Sequence, residues 1–172
     1  GIAAALALHL VGASVALIGP PPTRTMQARP ETRTAALLTS SVDFLRRLGV
    51  WEQLMPAAAP LTAVRIVDAS RSLLRSPDIA FESQELGLEA FGFNIANAAL
   101  NLALYDRARA VLAHLSPATI ASIQLDADLA TLTLDTGEEL SCRLVAGADG
   151  RQSKCRQAAG IETREIHYEQ SA

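Results

Sequence analysis

Residues 144–160 read Leu-Val-Ala-Gly-Ala-Asp-Gly-Arg-Gln-Ser-Lys-Cys-Arg-Gln-Ala-Ala-Gly, and this stretch decides the fold. It predicts a short apolar strand at Leu144–Ala146, a tight Gly-Ala-Asp-Gly turn, and a helix whose first turn is basic. Glycines let a backbone approach a ligand closely, and a helix N-terminus presents unpaired N–H groups to an anion. The carboxylate of Asp149 cannot bind an anion itself, but it can accept from a sugar hydroxyl or orient neighbouring amides. An ordinary connection from a strand to a helix has the same local pattern.

The first residues predict the second half of a βαβ dinucleotide-binding fold. Gly1 leads into an Ala-rich helix, Gly12 is a helix stop, and Ser14–Ile18 has the composition of a strand. Gly1 looks like the last glycine of a G-x-G-x-x-G turn, which makes it a candidate cofactor-binding residue and the chain a piece of a longer protein. An ordinary Ala-rich helix has the same composition. The strand ends in Gly19 and three prolines, without the acidic residue that usually holds the ribose in this fold.

Composition and charge argue against several function classes. The 172 residues, 49% of them hydrophobic, can form one domain, or one domain plus a fragment of another. A net charge of −3 with dispersed basic residues argues against nucleic acid as a partner. Two cysteines and three scattered histidines form neither a disulfide framework nor a metal site, so a cytoplasmic protein is expected. The apolar stretch 2–18 allows a membrane span as an alternative, but its polar interruptions favour a buried helix followed by a strand.

Two further helices are predicted in the middle of the chain. The spacing of Val42, Leu45 and Leu48 predicts a helix with an apolar face, capped by one of the hydroxyl residues 39–41. A longer helix is predicted to start around Asn94, with Asn97 as its N-cap.

The remaining segments predict antiparallel strands. Residues 63–68 and 79–82 alternate and read as a strand pair. Residues 119–146 alternate more strongly and predict a β-meander with a turn at Asp135–Glu138. A last strand is predicted to begin at Ile166.

The pattern Gly-Ala-Asp-Gly-Arg-x-Ser-x-x-Arg-x-x-Ala-Gly-Ile, which starts at Gly147, closely resembles a known motif. It is similar to the second flavin-contacting motif of the FAD-dependent aromatic-ring monooxygenases, in particular the hydroxylases of ubiquinone biosynthesis. By this resemblance Asp149 and Gly150 would lie beside the FAD pyrophosphate, while Ser153 and Arg156 would brace the turn and its helix.

Two more candidate FAD contacts follow from the same resemblance. The segment from Arg33 to Leu37 looks like the family's Arg-x-x-x-Leu loop, and Arg33 would reach the flavin or its phosphates. Asn97 matches a polar position that contacts FAD in relatives. A solvated cation and a helix cap remain the alternatives for Arg33 and Asn97.

The resemblance implies an α/β fold: a partial Rossmann-like FAD-binding domain, built from a parallel sheet plus a β-meander, with antiparallel strands belonging to a substrate domain. Residues 1–61 and 96–163 would form the two parts of the FAD-binding domain. Residues 62–95 would be strands of the substrate domain, and residues 164–172 would start the return to it.

The activity implied by the resemblance is hydroxylation of an aromatic ring through a flavin C4a-hydroperoxide, with NAD(P)H as the reductant and a hydrophobic aromatic small molecule, such as a ubiquinone precursor, as the substrate. No residue of the chain is expected to be catalytic, and the piece alone is expected to be inactive. Another flavoprotein of the same fold (an isoprenoid reductase or a halogenase) and a truncated domain that does not hold flavin are the alternatives. Peripheral association with the inner face of a membrane and the oligomeric state stay open.

Overall fold

The structure is a computed structural model that describes residues 1–22, 33–70 and 76–166. The chain divides into two compact units, Gly1–Pro21 with Leu112–Ala172, and Pro22–Val111. The α-helices and strands of the described residues follow one another in this order: α1 Ile2–Leu10, β1 Ala16–Ile18, β2 Thr34–Leu38, α2 Thr39–Arg47, α3 Trp51–Leu54, β3 Ala59–Pro60, β4 Ala63–Ile66, β5 Ile79–Glu82, β6 Gly92–Ala96, α4 Asn97–Val111, β7 His114–Ser116, β8 Ile120–Leu125, β9 Ala130–Leu134, β10 Glu139–Cys142 and α5 Lys154–Ala158. This mixture of one parallel pair of strands with antiparallel sheets confirms the predicted α/β class.

The first unit begins with the predicted helix and strand. Helix α1 buries Ala5 and Leu6, and it ends where the N–H of Gly12 donates to the carbonyl of His9 at 2.9 Å. Strand β1 then pairs in parallel with β7, with Leu17 opposite Leu115. None of the helices in the described part of the chain is long and apolar enough to cross a membrane. The stretch 2–18 is therefore a helix and a strand, as expected from its composition.

The predicted β-meander is also confirmed. Strands β8, β9 and β10 form an antiparallel sheet with β9 in the middle. Every second residue of β9 is buried (Ala130, Leu132 and Leu134), which is the period of a strand with one face in a core.

One predicted strand of the first unit is wrong. Residues Leu144–Ala146 are irregular, and Leu144 is 76% exposed. A strand is stable only with a neighbour that satisfies its N–H and C=O groups, and no strand of the described residues pairs with this segment.

The core of the second unit lies around α2 and α3. Val42, Leu45 and Leu48 are buried, as their spacing predicted. Helix α2 ends in a Schellman motif. The N–H of Val50 donates to the carbonyl of Leu45 at 3.0 Å, and a second backbone hydrogen bond inside this one closes the turn. Trp51 is 1% exposed and packs edge-on against Phe93, with ring centroids 5.1 Å apart.

Two predictions around α2 are corrected. Helix α2 starts directly after Leu38 without a side-chain cap, so none of the hydroxyl residues 39–41 caps it. Thr39 donates to the carbonyl of Phe91 instead, at 3.5 Å. The expected Arg-x-x-x-Leu loop is strand β2, because β6 runs antiparallel to it from Thr34 opposite Ala96 to Leu38 opposite Gly92.

The remaining strands of this unit form a small sheet and a hairpin. Strands β2, β6 and β3 form the sheet, and β4 and β5 pair with each other as predicted. Helix α4 begins at Asn97 rather than near Asn94, because Gly92–Ala96 is held in β6. The strand predicted from Ile166 onward lies outside the described residues.

Candidate cofactor-binding site

The bend at Gly147–Gly150 is organised by the side chain of Asp149. The hydroxyl of Ser153 donates to Oδ1 of Asp149 at 2.6 Å. The backbone N–H groups of Lys154 and Cys155 donate to Oδ2 at 2.7 and 3.1 Å. Of the two roles open from the sequence, a ligand for a sugar hydroxyl or the orientation of amides, the observed hydrogen bonds show the second.

These contacts stabilise the ionised form of Asp149. The hydroxyl of Ser153 is the largest cause, and it lowers the pKa of Asp149 from 3.8 to about 2, with smaller contributions from the N–H groups of Cys155 and Lys154. Partial desolvation acts in the opposite direction but is outweighed. Asp149 is therefore a carboxylate whose charge is directed toward the start of α5.

The first turn of α5 is braced in the way the resemblance implies. Ser153 is buried at 9% exposure, and its hydroxyl oxygen accepts from the N–H of Arg156 at 3.0 Å, so it is the N-cap of the helix. The guanidinium of Arg156 donates to the carbonyl of Arg151 at 2.9 Å. The ammonium of Lys154 also donates to the carbonyl of Ile120 in β8, an anchor that the sequence pattern did not predict.

Small residues make the bend possible. A Cβ at Gly147 would lie 2.7 Å from the Cβ of Cys155, so only glycine fits between the bend and α5. Gly150 has φ +83°, a left-handed conformation that favours glycine, and a Cβ there would point into open space. No pattern in the sequence indicates that Cys155 packs against this bend.

Gly1 lies against the same bend. A Cβ at Gly1 would be 3.4 Å from the Cβ of Ala148, so the N-terminus of α1 and the bend are in contact. The first turn of α1 contains no acidic residue, and its first intrahelical bond runs from the N–H of Ala5 to the carbonyl of Gly1 at 3.0 Å. The N–H groups of residues 2–4 precede that bond and have no partner within the helix.

This set of groups fits the diphosphate of a dinucleotide. Free N–H groups at a helix N-terminus bind anions, and the glycine bend beside them lets a ligand approach the backbone. The one carboxylate in the bend is engaged by Ser153 and by α5, so its negative charge is offset on the helix side. The residues that could hold FAD here are Gly1, Asp149 and Gly150, the last two through the bend that Asp149 organises.

The other two candidate residues meet in the second unit. The N–H of Asn97 donates to the carbonyl of Arg33 at 3.0 Å, so Arg33, which directly precedes β2, lies beside the first residue of α4. Arg33 is exposed and Asn97 is half-buried. The structure thus brings Arg33 together with Asn97, and Gly1 together with the bend, each pair within its own unit.

Comparisons with known proteins identify the family of the chain. A family model described as "FAD binding domain" matches residues 1–171. The chain is similar to "Ubiquinone hydroxylase UbiL" of Rhodospirillum rubrum, with 32% identity over 98% of this chain and 39% of that protein. It is similar to "3-demethoxyubiquinol 3-hydroxylase" of Escherichia coli, with 30% identity over 99% of this chain and 43% of that protein. The chain therefore spans about two fifths of the length of these relatives.

A solved structure shows the same fold. The crystal structure of the flavin-dependent monooxygenase PieE, in complex with FAD and substrate, matches 93% of this chain and 30% of its own, with a TM-score of 0.67. At 18% identity this likeness supports the fold alone.

Proposed function

The chain belongs to the FAD binding domain family, and from this premise we propose that it is the nucleotide-binding part of an FAD-dependent monooxygenase that hydroxylates an aromatic ring. The names of its two curated relatives support a ubiquinone-biosynthesis intermediate, a hydrophobic phenol, as the substrate. The same proposal includes NAD(P)H as the reductant and a cytoplasmic location, with peripheral association at the inner face of the membrane as an alternative. It also includes the domain boundaries 1–61, 62–95, 96–163 and 164–172.

One observation carries the proposal: the N-terminus of α1 touches the Gly147–Gly150 bend. The bend and the helix end together provide backbone N–H donors, small side chains and no unpaired carboxylate, which suits a bound diphosphate. Either feature alone is common in α/β proteins, so their contact is the informative fact.

In this proposal the residues of the chain bind and orient, and none is catalytic. When bound, reduced FAD supplies the oxygen-activating chemistry. The N–H groups of residues 2–4 and the backbone of Gly150 bind the pyrophosphate, and Asp149 keeps the bend in its binding conformation through Ser153 and α5. Arg33 provides a guanidinium for the flavin or its phosphates, and Asn97 provides an amide.

A chain that folds without holding flavin is the second candidate, and one observation favours it. Strand β1 ends at Ile18 and continues into Gly19 and prolines, so the carboxylate that usually binds the adenosine ribose in this fold is missing. Loss of this contact weakens binding of the nucleotide.

Titration with FAD distinguishes the flavin-binding proposal from the alternative of a chain that does not hold flavin. The purified chain is mixed with FAD, and the quenching of flavin fluorescence and the retention of yellow colour through gel filtration are measured. The proposal expects saturable binding of one FAD, weakened at least about 10-fold by Ala3→Asp, because this change places a negative charge beside the diphosphate at the end of α1. A folded chain that stays colourless at millimolar FAD would support the non-flavin alternative.

A further inference from the structure

Residues 147–161 contain the bend and α5, and this bend–helix segment is held together mainly by its own hydrogen bonds. Asp149 and Ser153 supply these bonds together with the first turn of α5. Within the described part of the chain, one hydrogen bond leaves the segment: the ammonium of Lys154 donates to the carbonyl of Ile120 in β8. This bond is therefore the polar link between the bend and the antiparallel sheet.

Apolar packing adds little to this link. Helix α5 contains no buried residue, and Ile161, which follows it, is exposed. The close contact of Cys155 with Gly147 lies inside the segment and does not join it to the sheet. Because a surface helix is usually held by an apolar face, the hydrogen bond of Lys154 contributes more to the position of α5 than the bond of an ordinary surface lysine does.

The acceptor of this bond belongs to a well-fixed part of the sheet. Just before Ile120, the N–H and the hydroxyl of Thr119 donate to the carboxylate of Asp135 at 3.2 and 2.7 Å. The carbonyl of Thr119 accepts from the N–H of Asp135 at 2.9 Å, so it faces β9. Successive carbonyls of a strand point to opposite sides, and β8 is an edge strand in the described part of the chain. The carbonyl of Ile120 is therefore on the open side, where α5 can reach it.

The position of α5 determines where the bend lies relative to α1. Asp149 joins the bend to the first N–H groups of α5, so the bend and the helix move together. At the other end of the bend, a Cβ at Gly1 would lie 3.4 Å from the Cβ of Ala148. A movement of α5 away from β8 would open this contact and separate the two groups of backbone donors that suit a diphosphate.

We propose that Lys154 is a positioning residue of the candidate FAD site, which fixes the bend against the end of α1 through its bond to Ile120. The inference rests on the proposed function, because it assigns Lys154 a part in the affinity for FAD. Lys154 acts through the bend and not as a ligand of the phosphates, since its ammonium is already bound to Ile120. It is the only lysine of the chain.

Titration of the 172-residue chain and its variants with FAD, followed by flavin fluorescence, tests the proposal. Lys154→Met keeps most of the aliphatic stem but removes the donor, and we expect it to weaken FAD binding about 5-fold while circular dichroism shows a folded chain. Lys154→Arg keeps a donor and should lose less than about 2-fold. Arg151→Met is the matched control, because it removes a positive charge next to the bend and leaves the link intact; it should also lose less than about 2-fold. Equal losses in Lys154→Met and Arg151→Met would overturn the proposal, since charge alone would then explain them.

A double variant, Lys154→Met with Asp149→Ala, tests whether Lys154 acts through the bend. Asp149→Ala already releases the bend from α5, so adding Lys154→Met should weaken FAD binding by less than about 2-fold more. Losses that multiply would overturn the proposal, because Lys154 would then contribute independently of the bend.

Amide chemical shifts of the ¹⁵N-labelled chain without FAD provide a check that does not depend on the proposed function. Lys154→Met should move the signals of residues 148–150 and leave those of residues 131–133 in β9 unchanged, whereas Lys154→Arg should leave both groups near their parent positions. Unchanged signals at 148–150 in Lys154→Met would refute the anchoring. Moved signals in a chain whose parent binds no FAD would refute the proposed function, and with it the role of Lys154 in FAD affinity, and would leave only the mechanical link.

Discussion

Replacing Asp149 with alanine removes the group that organises the bend. The variant leaves three donors without their acceptor, namely the hydroxyl of Ser153 and the N–H groups of Lys154 and Cys155. Removing a capping carboxylate costs about 0.5–2 kcal/mol, and because three donors are affected at a solvent-exposed site we expect a loss of about 1–2 kcal/mol from the free energy of unfolding. Because the bend is no longer held in one conformation, we also expect FAD binding to weaken about 10-fold.

Urea unfolding followed by circular dichroism measures the stability of Asp149→Ala, and flavin fluorescence measures its affinity for FAD. Asp128→Ala is the control, because Asp128 is an exposed carboxylate in the turn between β8 and β9 of the same unit. Asp149→Asn keeps one acceptor oxygen and should lose less stability than Asp149→Ala.

The pH dependence provides a second check with a defined sign. The pKa of Asp149 is lowered from 3.8 in the unfolded chain to about 2 in the folded one, so its ionised form stabilises the fold. This stability is present above pH 4 and is lost as the pH falls toward 2. The difference in the free energy of unfolding between the parent chain and Asp149→Ala should therefore shrink as the pH falls from 4 toward 2. A stability difference that is absent at pH 6, or that does not change between pH 5 and pH 2, would refute the organising role of Asp149.

Three further changes test the packing. Gly147→Ala should destabilise the chain by about 1–3 kcal/mol in urea unfolding, because its new Cβ would lie 2.7 Å from the Cβ of Cys155, and Cys155→Gly in the same chain should restore part of the loss. Gly150→Ala should cost about 1 kcal/mol from its left-handed backbone alone, while full stability would show that the bend is not held as described. Trp51→Ala should cost about 3–5 kcal/mol because the buried ring packs on Phe93, and Trp51→Phe should cost less, since within the described residues the indole N–H makes no hydrogen bond that could be lost.

Elements with a strong local pattern were predictable from the sequence. The Ala-rich helix followed by Gly12 and a β-branched strand became α1 and β1, and the alternation predicted over residues 119–146 became the meander of β8, β9 and β10. In these segments the hydrophobic period, the turn residues and the tertiary environment all point to the same structure.

Elements that depend on a partner were not predictable. The apolar residues Leu144–Ala146 have a strand composition but no pairing neighbour in the described chain, whereas Thr34–Leu38 has a weak strand composition and pairs with β6 over its full length. Strand formation follows such pairing and burial more than intrinsic preference. The caps expected at residues 39–41 failed for a related reason, because β2 runs without a break into α2 and leaves no residue free to cap it.

The sequence indicates which residues form the candidate site but not how they are arranged. The turn, its glycines and Asp149 stand out in the sequence, yet the choice between a ligand contact and an organising role for Asp149 depends on where Ser153 and the first N–H groups of α5 lie. The contact between Gly1 and Ala148 joins residues 147 positions apart, and no local pattern reports it.

Amide chemical shifts of the ¹⁵N-labelled chain during titration with FAD test the central claim most directly. If the end of α1 and the bend hold the diphosphate, the N–H groups of residues 2–4 and 148–150 will show the largest saturable shifts, and Asp149→Ala will reduce them. FAD that shifts other amides while these stay unchanged would contradict the account.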